Sequence, residues 1–265
     1  MGSVELATVL LGASPFKEGN VNDTYRGQVI TDGRVVRHGV IKDLDVIQLA
    51  NELFAHALAR HVGLPIPDCY IGMVRPGILA VSKGPVLNDG ARLVFVSADV
   101  KVPNLTHRIL TADATAQAAL LAEVTGWSEL GKLYAFDAWI ANTDRHQGNL
   151  LFGSPSEAWL IDHGHSFTGP TWKPEDLNPA SEVQNRLAEW LTPFLTEDQK
   201  TQRRGEVLQL SASLAGFSAE RATKSCRVDE FLPVEFVNAL KEFVEGRVAT
   251  VTVNACKALG VPMMI

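Results

Sequence analysis

The sequence predicts an α+β fold, with an antiparallel sheet and one helix ahead of a mostly helical remainder. Three observations predict it. Residues 4–42 alternate apolar and polar side chains around turn residues, which is the period of strands. Residues 44–62 carry an apolar stripe at helical spacing. From Asn88 onward the reading is helical, broken by one polar stretch at 142–149 and a short ribbon after it. A chain of 265 residues can bury a sizeable core, as one large domain or as two modest lobes.

The first three strands are expected at 4–12, 24–31 and 35–42, with Asp32-Gly33 as the tight turn between the last two. Side chains alternate along a strand, so Val40 and Lys42 share one face and Ile41 takes the other. In the helix at 44–62, Val46, Leu49, Ala50, Leu53, Phe54, Ala57 and Leu58 form the stripe. Asp43 or Asp45 can cap it, and Gly63 followed by Pro65 ends it. A strand pair is read at 69–74 and 77–81, around Arg75-Pro76, and Ser82-Lys83-Gly84-Pro85 then breaks the pattern. Helices are expected at 112–124 and 130–141. Three more are read at 181–190, 196–214 and 233–259, the last opened by Pro233.

Composition excludes several classes. Apolar content of 46% and charged content of 20% are those of a soluble globular protein. A net charge of −6 argues against coating nucleic acid or an anionic membrane. Cys69, Cys226 and Cys256 lack ligand spacing and are odd in number, so neither a disulfide framework nor a zinc site is indicated, and a reducing cytoplasm is the simplest compartment. No signal peptide, myristoylation motif or membrane span is read.

The chemistry concentrates in 142–166. Asp144 and Asn149 sit in a stretch too rich in Asn, Asp and Gly for a helix interior. A strand at 150–152, a turn at 153–157 and a returning strand at 158–161 read as a hairpin centred on Pro155 and Ser156. That register sets Leu151 against Leu160, Phe152 against Trp159 and Asn149 against Asp162. Opposed residues lie about 4.5–5.5 Å apart at Cβ, so the amide oxygen and the carboxylate could share one hard cation. Mg²⁺ suits them, since it takes one or two carboxylates and completes its shell with water and phosphate. Asp144 remains free to orient or deprotonate a hydroxyl, as phosphoryl transfer requires.

Asp144-Arg145-His146-x-x-Asn149, followed by Ile161-Asp162-His163-Gly164, resembles the catalytic and metal loops of the HipA-like kinases. It is also similar to the corresponding loops of phosphoinositide kinases, protein kinases and aminoglycoside phosphotransferases. Residues 51–68 further resemble a helix and its exit in the HipA-like family. The resemblance implies a bilobal protein-kinase-like fold, with an N-lobe at 1–84 and a C-lobe at 85–265. ATP would lie between them. Lys42 would bind phosphate, Glu52 would be the helical carboxylate aimed at it, and Asn149 and Asp162 would hold Mg²⁺. Asp144 would orient the acceptor, while Arg145 or His146 would neutralise transferring charge or pack within the loop. The 13–23 connection, containing Gly19 and Asn20, stands where a phosphate-covering loop belongs, although it lacks Gly-x-Gly-x-x-Gly. Backbone groups of Val81, Ser82, Lys83 and Gly84 would meet adenine.

The same resemblance implies a serine/threonine protein kinase, often the toxin of a toxin–antitoxin pair acting on a translation component. Protein substrate and antitoxin would then be the partners, with no membrane and no direct nucleic-acid binding. A small-molecule or lipid phosphotransferase uses the same loop logic, though no basic amphipathic helix for a membrane surface is present. A non-catalytic nucleotide-binding module is the third reading, and Asp144 argues against it because a pure binder needs no acceptor-orienting carboxylate.

Overall fold

The computed structural model describes residues 3–16 and 23–262, so Gly19 and Asn20 lie outside the described residues. The larger sheet comprises β1 (Glu5–Val9), β2 (Ser14–Pro15), β3 (Thr24–Thr31), β4 (Val36–Lys42), β5 (Cys69–Val74) and β6 (Arg92–Ala98). Their order is β1-β5-β6-β4-β3-β2, and β1 also pairs with β3, which closes five strands into a barrel-like ring. Among the described residues only the β1–β5 pair of this sheet is parallel. Ala7, Val9, Val29, Ile41, Tyr70, Val74, Val94 and Val96 fill the ring. Its bore is narrow: a Cβ on Gly72 would come within 2.7 Å of both Val94 and Val96.

The second strand is as expected, and the tight turn is closed by the Thr31 N–H donating to Val35 O at 3.0 Å. Residues 77–81 are not a strand. The antiparallel partner of β5 is β6, which the helical reading from Asn88 misses. The reason is physical. Leu93 and Phe95 join the main core while Val94 and Val96 face the ring, so both faces are apolar and the strand shows no polar alternation. The sheet therefore continues past residue 84.

Helix α1 (Val46–His61) buries most of its surface, polar residues included. Asp45 occupies its N-cap position without a side-chain cap bond. The remaining helices are α2 (Leu105–Thr111), α3 (Ala114–Gly126), α4 (Leu130–Trp139), α5 (Arg186–Leu191), α6 (Glu197–Ser213), α7 (Ala219–Cys226), α8 (Val234–Arg247) and α9 (Val251–Leu259). The single helix expected over 233–259 is thus two, separated by a short 3₁₀ turn at Val248–Thr250. The helix expected from 181 begins only at Arg186, and α2 and α7 were not anticipated. One large core joins α1, the outer face of the sheet and these helices. Among the described residues no helix is long and apolar enough to cross a membrane.

Candidate active site

Helix α4 delivers the chain into the loop at 140–149, and a hairpin of β7 (Leu150–Ser154) and β8 (Glu157–Leu160) returns it to Asp162. Ser154 pairs with Glu157 across Pro155-Ser156, as the turn residues predict. An irregularity at Gly153 then shifts the register, so Leu150 opposes Leu160 and Leu151 opposes Trp159. Gly153 tolerates the bulge because a Cβ there would run into the Glu157 side chain. The expected opposition of Asn149 and Asp162 is therefore displaced by one residue. The Ile161 N–H, not that of Asp162, donates to Asn149 O at 3.3 Å.

Arg145 ties the two arms together. Its guanidinium is completely buried and donates to Asn149 O at 2.7 Å and Ile161 O at 2.9 Å. Its Nε bonds the buried Asp137 carboxylate at 3.0 Å. The remaining nitrogen lies 2.9 Å from His163 Nε2. Arginine can only donate, so His163 Nε2 accepts and its proton sits on Nδ1, 3.8 Å from Glu52. Burial is the main cause holding His163 below its usual pKa, which keeps it neutral as this contact requires. Of the two alternatives for Arg145, packing within the loop is the one observed. His146 is half-exposed, and its Nδ1 accepts from the Gly148 N–H at 2.9 Å.

Lys42 is the convergence point. Its Nζ donates to Glu52 Oε1 and to Asp162 Oδ1, both at 2.7 Å. Glu52 is 2% exposed, and its second oxygen accepts from the His163 N–H at 3.0 Å. Burial works against the charge on Lys42, yet the carboxylates of Asp162 and Glu52 outweigh it and raise the lysine pKa. Burial likewise opposes ionisation of Glu52, and Lys42 outweighs it, holding Glu52 well below the usual carboxylate range. The strand-end lysine, the helical carboxylate and the hairpin-end carboxylate thus meet as one charged cluster.

Asn149 Nδ2 donates to Asp144 O at 2.8 Å, which fixes the amide and leaves Oδ1 as its available acceptor. Asp162 is 45% exposed and engages Lys42 through Oδ1 alone. Each residue therefore keeps an oxygen for a hard cation, and this donor set fits Mg²⁺ completed by phosphate. Asp162 adopts a left-handed φ of 64°, a conformation Asp tolerates. The Asp144 carboxylate contacts Arg186 Nη1 at 2.5 Å and lies 3.8 Å from His146.

The backbone N–H groups expected to meet adenine at 82–84 are engaged within the protein. The N–H groups of Ser82, Lys83 and Gly84 all donate to the buried Asp43 carboxylate, at 2.6 to 3.2 Å, and Val81 N donates to Leu79 O. Asp43 is an acceptor for this turn rather than a helix cap.

The sequence profile of the HipA-like kinase family matches residues 39–210, well over half of the chain. The chain belongs to the HipA-like kinases. Their membership makes it a phosphotransferase, and the family implies ATP and usually a divalent metal. Among solved structures it is similar to the Helicobacter pylori proinflammatory kinase CtkA, with a TM-score of 0.62 at 11% identity over 94% of this chain and 96% of that one. At that identity the likeness speaks for the fold. No curated protein sequence matches.

In this HipA-like kinase, sequence reasoning misses Asn51, Asp137 and Arg186 as well as Asp43. Asn51 had a signal. Gln48, Asn51, Glu52 and His56 make a polar row at helical spacing on an otherwise apolar helix, and all four are buried. Arg186 and Asp43 had none, because their partners are distant in sequence or are backbone groups.

Proposed function

We propose that this chain is an ATP-dependent serine/threonine protein kinase of two lobes, with ATP bound between the sheet and the helical part. The observation that carries the reading is the Lys42–Glu52–Asp162 cluster, which brings residues from β4, α1 and the hairpin exit within 2.7 Å contacts. Lys42 contacts the ATP phosphates when nucleotide is bound. Asn149 and Asp162 are the residues that would hold Mg²⁺, which would supply neutralisation of phosphate charge. Asp144 orients the acceptor hydroxyl for in-line attack on the γ-phosphoryl group, and Arg186 must yield part of its contact to admit that hydroxyl.

The lobes divide after β6, since that strand completes the sheet, and the segment at 99–103 replaces 81–84 as the neighbour of adenine. Asp99 supports this: it follows β6 directly and pairs at 3.5 Å with Arg26, opposite Val40 on the face that carries Lys42. The acceptor is a protein hydroxyl, with a translation component and a toxin–antitoxin setting as the working case. Incubation with γ-labelled ATP and cell extract, followed by phosphopeptide mapping, tests this. Phosphoserine or phosphothreonine on a protein is the expected result. Turnover only with small alcohols or lipids assigns the alternative, and ATP binding without turnover removes the kinase reading.

A further inference from the structure

The loop that follows Asp162 is strained and held from two sides. Phe167 and Thr168 have φ of 55° and 74°, conformations that bulky and β-branched side chains rarely adopt, and they follow a left-handed Asp162. Such geometry persists only where its surroundings over-determine it. On one side the 140–143 segment does so. Ile140 O and Ala141 O accept from the Phe167 and Thr168 N–H groups, while Thr143 donates to His165 O. On the other side stands α1, through Asn51 and its neighbour Glu52.

Asn51 is fully buried, and its Nδ2 lies 2.8 Å from Gly164 O, 3.1 Å from Ser166 O and 3.0 Å from Gly169 O. Its Oδ1 accepts from the Trp172 indole N–H at 2.9 Å. Carbonyls only accept and an indole only donates, so the amide orientation is fixed by chemistry. The three carbonyls bracket the strained pair. The neighbouring Glu52 holds the His163 N–H. Two consecutive residues of α1 therefore grip the chain at 163 and 164, directly after Asp162.

We propose that Asn51 is a positioning residue for the metal-binding carboxylate. It acts through the loop at 164–169 and fixes the direction in which Asp162 presents its free oxygen. The inference rests on the phosphotransferase reading of Asp162. Loss of Asn51 leaves Lys42 and Glu52 paired, so nucleotide contacts made without metal persist. What weakens is the extra affinity that Mg²⁺ confers.

The test is calorimetric titration of the full chain with ATP, with and without MgCl₂, together with amide hydrogen exchange over residues 163–172. Asn51→Ala is expected to bind metal-free ATP within about threefold of the unaltered protein, and to lose at least about tenfold of the Mg²⁺-dependent gain, as for removal of other groups that orient a metal ligand. Exchange over 163–172 should accelerate. Trp172→Phe, which removes the indole donor while keeping an aromatic ring beside Phe236, should show the same pattern more weakly and serves if Asn51→Ala fails to fold. Leu210→Ala, a buried truncation in α6, controls for destabilisation and should leave the Mg²⁺ gain unchanged. An unchanged Mg²⁺ gain in both Asn51→Ala and Trp172→Phe, in a protein that binds ATP normally, overturns the inference alone. Absence of ATP binding by the unaltered protein overturns the phosphotransferase reading and the inference together.

Discussion

The closed sheet and the loop system at 137–169 each bury a set of side chains, yet the two sets are of opposite materials. The ring is filled by aliphatic side chains plus Tyr70, and its geometry follows from register and side-chain volume. The loop system buries Asp137, Asn142, Arg145, Asn149 and His163, and its geometry follows from donors matched to acceptors. Packing tolerates small volume changes, since neighbours relax around them. A buried charge network does not, because removing one member strands the others. The part that must hold catalytic groups in fixed directions uses the less forgiving material.

The largest expected effect sharpens this contrast. Arg145→Met removes the charged partner of the buried Asp137 carboxylate and three further contacts, to Asn149 O, Ile161 O and His163, and should cost about 3–5 kcal/mol in urea unfolding. Adding Asp137→Leu should recover part of that loss, whereas equal instability of the double variant would refute the stranded-charge account. Next is Asp162→Asn, chosen because Asn accepts the left-handed backbone that Ala does not. It should lower phosphoryl transfer by about 10²–10³-fold, on the scale of losing one preorganised electrostatic contact, with little change in Tm. Transfer at the unaltered rate would remove Asp162 from the metal site.

A third effect follows from pH. Burial depresses His56 to about 4 while its Nε2 donates to Pro67 O. The unfolded chain therefore binds the proton first. Stability from this site is complete above about pH 6.5 and falls by about 3 kcal/mol as pH drops toward 4. Glu52, also depressed, adds its own loss only below the ordinary carboxylate range. Urea midpoints at pH 7 and pH 4.5 should separate accordingly, and His56→Leu should flatten the slope. The smallest effect belongs to the ring: Ile41→Val should cost about 1 kcal/mol and leave activity intact. A loss as large as that of Arg145→Met would erase the distinction between the two regions.

What the sequence discloses follows the same division. Helix α1 and the hairpin turn are legible because their signals are local, in the apolar stripe and in Pro155-Ser156. The β7–β8 register is not, since the irregularity at Gly153 adds a residue without changing the pattern. Strand β6 is hidden by having two apolar faces. Lys42, Glu52 and Asp162 are found as a set only because the family resemblance ties them together; their meeting spans 120 positions in the chain. Asp43 stays illegible because a carboxylate that receives three backbone N–H groups needs no particular partner side chains.

Under the protein-kinase function proposed above, closure of the sheet bears on how a polypeptide acceptor is met. In the ring, β1, β3, β4, β5 and β6 each have neighbours on both sides. No strand of it offers an open row of amides to an incoming extended peptide, so recognition by strand addition is denied there. Under that proposed function, discrimination of a target falls to elements outside the ring, the side chains around Asp144 and Arg186 among them, where a few substitutions can redirect it without touching the barrel.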